Sequence, residues 1–228
     1  MNGPVERPLR LAEVLAETVH VYRQRVRAAL ALGALYTLVL AAAGAVHPVV
    51  YYAAASFMVV VTYGAATRLV AGDSFREAWA QVAVRLPVLA VLAFVVGVPF
   101  VLASTYLLLL ILAALWLGLT GFAVPVAMTE RHEARLGRLA RVAYALERTI
   151  VLAKAEYVHA AGVAAALLLI NFLVAIVLGG ALVGFADNSR TVAALLAQFV
   201  LAPFFFLGLS VLYFDQRARV AGRAPPSE

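Results

Sequence analysis

Arginines at 131, 135, 138 and 141 recur at steps of four, three and three, so on a helix their guanidinium groups share one surface. None of the four has an acidic residue three or four positions away. Planar guanidinium groups pair bidentately with phosphate, and near an anionic leaflet each such charge contributes about 1 kcal/mol. The series points to anionic phospholipid headgroups, although basic residues also serve simply to orient a membrane protein. Asn171 and Gln198 form a second candidate pair, each lying in the middle of a long apolar run. Two such amides either make one interhelical hydrogen bond, worth about 0.6–2 kcal/mol, or line a polar route for a solute.

Other chemistries find little support. His20, His47, His132 and His159 include no pair with metal-ligand spacing, and His132-Glu133 is not part of a His-Glu-x-x-His helix. Neither a metal nor any other cofactor is expected. Ser56 and Ser210 lie in apolar runs, but Gly208-Leu209-Ser210 lacks a following glycine and no histidine stands at a matching depth, which argues against intramembrane proteolysis. Cysteine is absent, so there are no disulfides and no thiolate chemistry. Without paired carboxylates or metal ligands at any span end, no catalytic residue is assigned and no enzyme is expected.

The elements that position these residues follow from composition. Of 228 residues, 65% are hydrophobic and 13% charged, against roughly 45–50% and about 25% in a soluble domain. Thirty charged side chains cannot cover a water-soluble surface of this size, so the class is an all-α, polytopic integral membrane protein. Crossing a hydrocarbon core of ~30 Å takes about 20 residues. The apolar runs give spans at 26–46, 49–70, 87–103, 106–128, 158–183 and 191–214, followed by a tail at 215–228. The third and fourth come from one run of 42 residues, Pro87 to Met128, divided at Ser104-Thr105. The first run is too long for the apolar region of a signal peptide.

Seventeen of the eighteen basic residues then fall on one side of the membrane, with Arg190 alone on the other. The positive-inside rule places both termini in the cytoplasm of a cytoplasmic (inner) membrane protein. The net charge of +6 therefore reflects topology, and no nucleic-acid partner is expected.

Three amphipathic helices precede the three pairs of spans. The first, 9–25, carries Leu11, Val14, Leu15, Val19 and Tyr22 on one face. The second, 74–86, opens with the capping box Ser74-Phe75-Arg76-Glu77. The third, 133–154, is read as burying Leu136, Leu139, Ala143, Leu146 and Ile150. Helix, span, span thus forms a pseudo-repeat, in which Leu11, Phe75 and Leu139 recur 64 residues apart. Gly180-x-x-x-Gly184 permits close helix approach, within the chain or in a homo-oligomer.

Four segments carry a resemblance. Arg7 to Leu15 with Val21-Tyr22-Arg23, Pro125 to Glu130, Ala145 to Thr149 and Leu212 to Arg219 resemble motifs of the membrane-domain superfamily attached to some glycerophosphoryl diester phosphodiesterases and found in stand-alone six-span bacterial proteins. The resemblance implies a six-span membrane domain whose own activity is generally unassigned. The phosphodiesterase barrel has no counterpart here, so phosphodiester hydrolysis is not implied. The sequence favours a non-enzymatic scaffold or accessory protein that binds anionic phospholipid and a membrane partner; the alternative is a transporter or channel for a small or lipidic solute. Replacing Arg131, Arg135, Arg138 and Arg141 together by glutamine is expected to abolish the enrichment of anionic lipid adducts in native mass spectrometry; unchanged adducts would refute the lipid site.

Overall fold

The computed structural model describes residues 7–104, 109–130, 137–182 and 189–223. Among them all regular structure is helical, and six helices are long and apolar enough to cross a membrane. Lipid offers no hydrogen bonds to a backbone, so an apolar chain must satisfy its N–H and C=O groups within its own helices.

Helix α1 (Leu11–Gln24) ends at Arg25, where the backbone leaves helical geometry for one residue before α2 (Val26–Val46). The imidazole of His47 caps α3 (Pro48–Val70), its Nδ1 accepting the Val49 N–H at 3.2 Å, with Pro48 at the first helical position. Gly72, at φ +107°, supplies the left-handed turn that ends α3. Both Arg68 and Arg25 bind this turn, Arg68 through Asp73 Oδ2 at 2.7 Å and Arg25 through the Asp73 and Gly72 carbonyls.

The Ser74–Glu77 capping box is formed as expected and starts α4 (Phe75–Leu92). No break falls at Pro87, where an amphipathic helix was expected to give way to a span. The helix passes through Pro87, widens into a π-helical turn at Ala93–Gly97 and continues as α5 (Val98–Ser104). Pro99 cannot donate to the preceding turn, and such a proline commonly accompanies π-widening. Next come α6 (Leu110–Thr120) and α7 (Ala123–Thr129), interrupted at Gly121-Phe122. The third amphipathic helix is α8 (Arg138–Ala155), and α9 (Tyr157–Leu182) is the fifth span. Helix α10 (Ser189–Arg223) runs on well beyond Phe214, where a tail was expected.

Helix α10 is the spine, packing against α9, α2, α3, α1 and α8. Its Phe206 meets Tyr36 of α2 and Tyr63 of α3 with ring centroids 5.7 and 6.2 Å apart, and Phe205 stacks on Phe100 at 5.9 Å. Small residues set the closest approaches, since without a hydrophobic drive between helices close van der Waals packing must hold them. A Cβ on Gly33 would lie 1.9 Å from the Phe199 carbonyl oxygen, and one on Gly97 would lie 2.3 Å from that of Ser56.

The amphipathic helices turn their faces onto this bundle. In α1, Val14 and Thr18 have no exposed surface, while Leu11 and Val19 form an exposed rim. In α8 the face assigned from sequence is corrected. The bundle buries Val142, Ala145, Thr149 and Leu152, whereas Leu139 is 76% and Ile150 46% exposed. The apolar arc is wide enough for two neighbouring faces, and periodicity alone selected the one that faces outward.

Gly33→Val is expected to cost at least the ~1–3 kcal/mol typical of overpacking, seen as a clear fall in the thermal midpoint of the detergent-solubilised protein. Gly162→Ala, where an added Cβ meets nothing within 4 Å, is expected to leave that midpoint unchanged or raised.

Candidate functional site

Two polar zones lie within this frame. The first surrounds Asp215 on α10, whose side chain has no exposed surface. One carboxylate oxygen accepts the Leu9 N–H at 2.6 Å. The other accepts from Arg219 Nε at 3.0 Å and has His159 Nε2 of α9 at 3.1 Å. Arg219 also donates to the Leu9 carbonyl and to Glu156. Both backbone groups of Leu9 are thus held by one i,i+4 pair, which pins the start of α1 to α10. At the same end, the Arg10 N–H and then the Arg7 guanidinium hold the Glu13 carboxyl below the usual carboxylate range.

The zone extends toward α7 and α8. Thr129 donates its hydroxyl to the Pro125 carbonyl, which leaves Tyr213 as the donor in their 2.8 Å pair. Glu130 accepts from Tyr144 at 2.6 Å and from Arg148 at 3.3 Å. These contacts bring together residues from all four segments that carried the family resemblance. Gln216, fully buried beside Asp215, has neither amide atom paired among the described residues.

The second zone lies between α2, α5, α6, α9 and α10. Asn171 and Gln198, both half-buried, line one chamber of about 310 Å³. Its walls include Tyr36, Phe100, Phe172, Phe205 and Phe206, and among the described residues no charged one lines it. Among the described residues neither amide has a hydrogen-bond partner, so the interhelical bond expected from sequence as one option is not formed.

The other sequence candidates are placed as follows. Arg131, Arg135 and His132 lie outside the described residues, and Arg138 opens α8. Arg141 is half-buried and is not a free cation, unlike the reading from local spacing, which could not include partners from other helices. Ser56 and Ser210 donate back to the Tyr52 and Phe206 carbonyls, at 2.8 and 2.7 Å. Gly180 is exposed with nothing within 4 Å of an added Cβ, and Gly184 lies outside the described residues. Among the described residues, no three His, Asp or Glu side chains gather as a metal site requires.

The sequence sets Asp215 and Arg219 at i,i+4 spacing and His159 near the start of the fifth span, but no spacing rule joins His159 or Leu9 to that pair. The shared level of His159 and Asp215 was the available signal. The aromatic walls of the chamber carried no comparable signal, because aromatics are common throughout apolar spans. The chain matches no family model, no curated protein sequence and no solved structure.

Asp215→Ala leaves Arg219 and the Leu9 N–H without their shared acceptor, and removing one partner of a buried ion pair costs about 3–5 kcal/mol. Trypsin is expected to cut after Arg10 and Arg23 faster than in the unaltered protein. Arg7→Ala, which removes an ion pair 72% and 38% exposed, is expected to leave those rates unchanged.

Proposed function

We propose that the protein is a non-enzymatic multi-pass protein of the cytoplasmic membrane, with both termini in the cytoplasm, that takes up an uncharged amphipathic solute in the chamber between its spans. The observation that carries this reading is the convergence of Asn171 and Gln198 on one half-open, aromatic-walled space. An unpaired polar group away from water costs about 1–3 kcal/mol, so two amides pointing into such a space favour an occupant that hydrogen-bonds them. Apolar walls with a few convergent polar groups are the usual form of a small-molecule site. The absence of charge among the described lining residues favours a neutral solute, since an unpaired ion there would not recover its hydration. The orientation rests on the distribution of basic residues.

A second reading, docking of α8 on anionic headgroups, is supported by its exposed apolar side chains. Leu139 and Ile150 are exposed on α8, the helix whose sequence also carries Arg138 and Arg141, a combination suited to the headgroup layer. On this reading the protein acts as a scaffold or accessory subunit for a membrane partner.

The two amides are tested together. The unaltered protein and the Asn171→Leu/Gln198→Leu variant are extracted in native-membrane nanodiscs, and their neutral lipids and amphiphiles are quantified. A component near one per chain is expected, falling about tenfold or more in the variant, as two hydrogen bonds of ~1 kcal/mol each imply. Equal content in both would reject the chamber as the site.

A further inference from the structure

Gln198 borders a second space. A side cavity of about 350 Å³ is bounded by Leu40, Ala41, Gly44 and Ala45 of α2, Tyr51 of α3, and Leu195 and Gln198 of α10. Along α2 it lies beyond Tyr36, which lines the chamber, toward His47-Pro48; along α10 it lies beyond Gln198 toward the start of the helix. Ala41, Gly44 and Ala45 are exposed, so this cavity opens on the flank of the bundle. Small side chains create the space, whereas nearer the other end Gly33 closes α2 directly onto the Phe199 carbonyl.

We propose that the chamber fills laterally through this side cavity, with Gln198 as the relay between the two spaces, and that the occupant is a neutral single-chain amphiphile with a small hydroxyl- or amide-bearing headgroup. The inference rests on the chamber reading above and adds the route and the class of solute. A chamber of about 310 Å³ sits at the small end of the ~300–1,000 Å³ range of ligand pockets and, being half open, holds the headgroup end of one chain rather than two chains. A headgroup bonded to Gln198 in the side cavity keeps that partner as it passes inward and gains Asn171. It therefore avoids the cost of a bare polar group in hydrocarbon. The chain lies among the rings of Tyr36, Phe205 and Phe206.

The probe is radiolabelled monooleoylglycerol, exchanged between acceptor vesicles and the full chain in nanodiscs. Ala41→Phe/Ala45→Phe fills the side cavity at exposed positions, and Gly44→Phe supplies a second plug on the same wall. Both plugs are expected to slow uptake and release by about tenfold, a barrier increase of roughly 1.4 kcal/mol, with equilibrium occupancy unchanged. Asn171→Leu is expected to lower occupancy while the chamber still fills at the original uptake rate. Wild-type exchange rates in both plugged variants would overturn the lateral route while leaving the chamber reading intact. Equal competition by ionised oleate would overturn the neutral headgroup. If the paired leucine variant loses its native component but the unaltered protein takes up no monooleoylglycerol, the solute class proposed here is wrong and the chamber reading stands. If neither effect is seen, both readings fail.

Discussion

Asp215 carries a charge where the protein leaves it no exposed surface, and the packing of the arginine-rich end depends on how that charge is met. Removing a carboxylate from water costs several kcal/mol even after the surroundings relax, and only well-placed donors offset it. Here they come from three places in the chain: the Leu9 backbone, His159 on α9 and Arg219 one turn along α10. Arg219 returns to the Leu9 carbonyl and to Glu156, so the same group of charges fixes the start of α1, the start of α9 and the last turns of α10. An amphipathic segment free to lie anywhere on a headgroup layer is thereby held against the spine of the bundle. Val14 and Thr18 bury their side chains as a consequence of that placement.

The carboxylates of the first zone and the amides of the chamber differ in how well they are satisfied. Around Asp215 and Glu130 each carboxylate has protein partners on both oxygens, so little capacity remains for a ligand. In the chamber, Asn171 and Gln198 have no partner among the described residues and face space. Satisfied polar groups in a membrane protein join helices, while unsatisfied ones beside a cavity await water or a solute. That difference, rather than the number of charges, directs a functional reading toward the chamber.

Much of the architecture was legible because the membrane makes local rules decisive. Six spans, their order and the Ser74 cap follow from run length and local hydrogen bonding, neither of which needs a partner helix. Pro87 was misjudged because a proline that would end a helix in water is tolerated inside a membrane bundle. The face of α8 was misassigned because Leu139 and Ile150 have the same helical spacing as Val142, Ala145, Thr149 and Leu152; only the positions of α4, α6, α7 and α10 decide between them. Asn171 and Gln198 stood out by polarity alone, but their common chamber depends on side chains from five helices. His159 and Leu9 joined Asp215 across long sequence separations, for which spacing rules have no term.

Helix α1 gives the two zones a physical connection. Leu9 just before its start is bonded to Asp215 and Arg219, and Tyr22 near its end donates to the Val200 carbonyl at 3.2 Å while its ring meets Phe204 at 6.1 Å. That stretch of α10 is a point of weakness, because Pro203 has no N–H to give the Phe199 carbonyl, and Gln198 immediately precedes it. Gly33 closes over that same carbonyl from α2, and the chamber lies alongside. One amphipathic helix therefore braces both the buried carboxylate and the proline-weakened turn beside Gln198. A change at the arginine-rich end that lifts α1 from Asp215 would also withdraw Tyr22 from the turn bordering the chamber. The two ends of the bundle are then joined through one helix, whose bonds at each end can be broken separately.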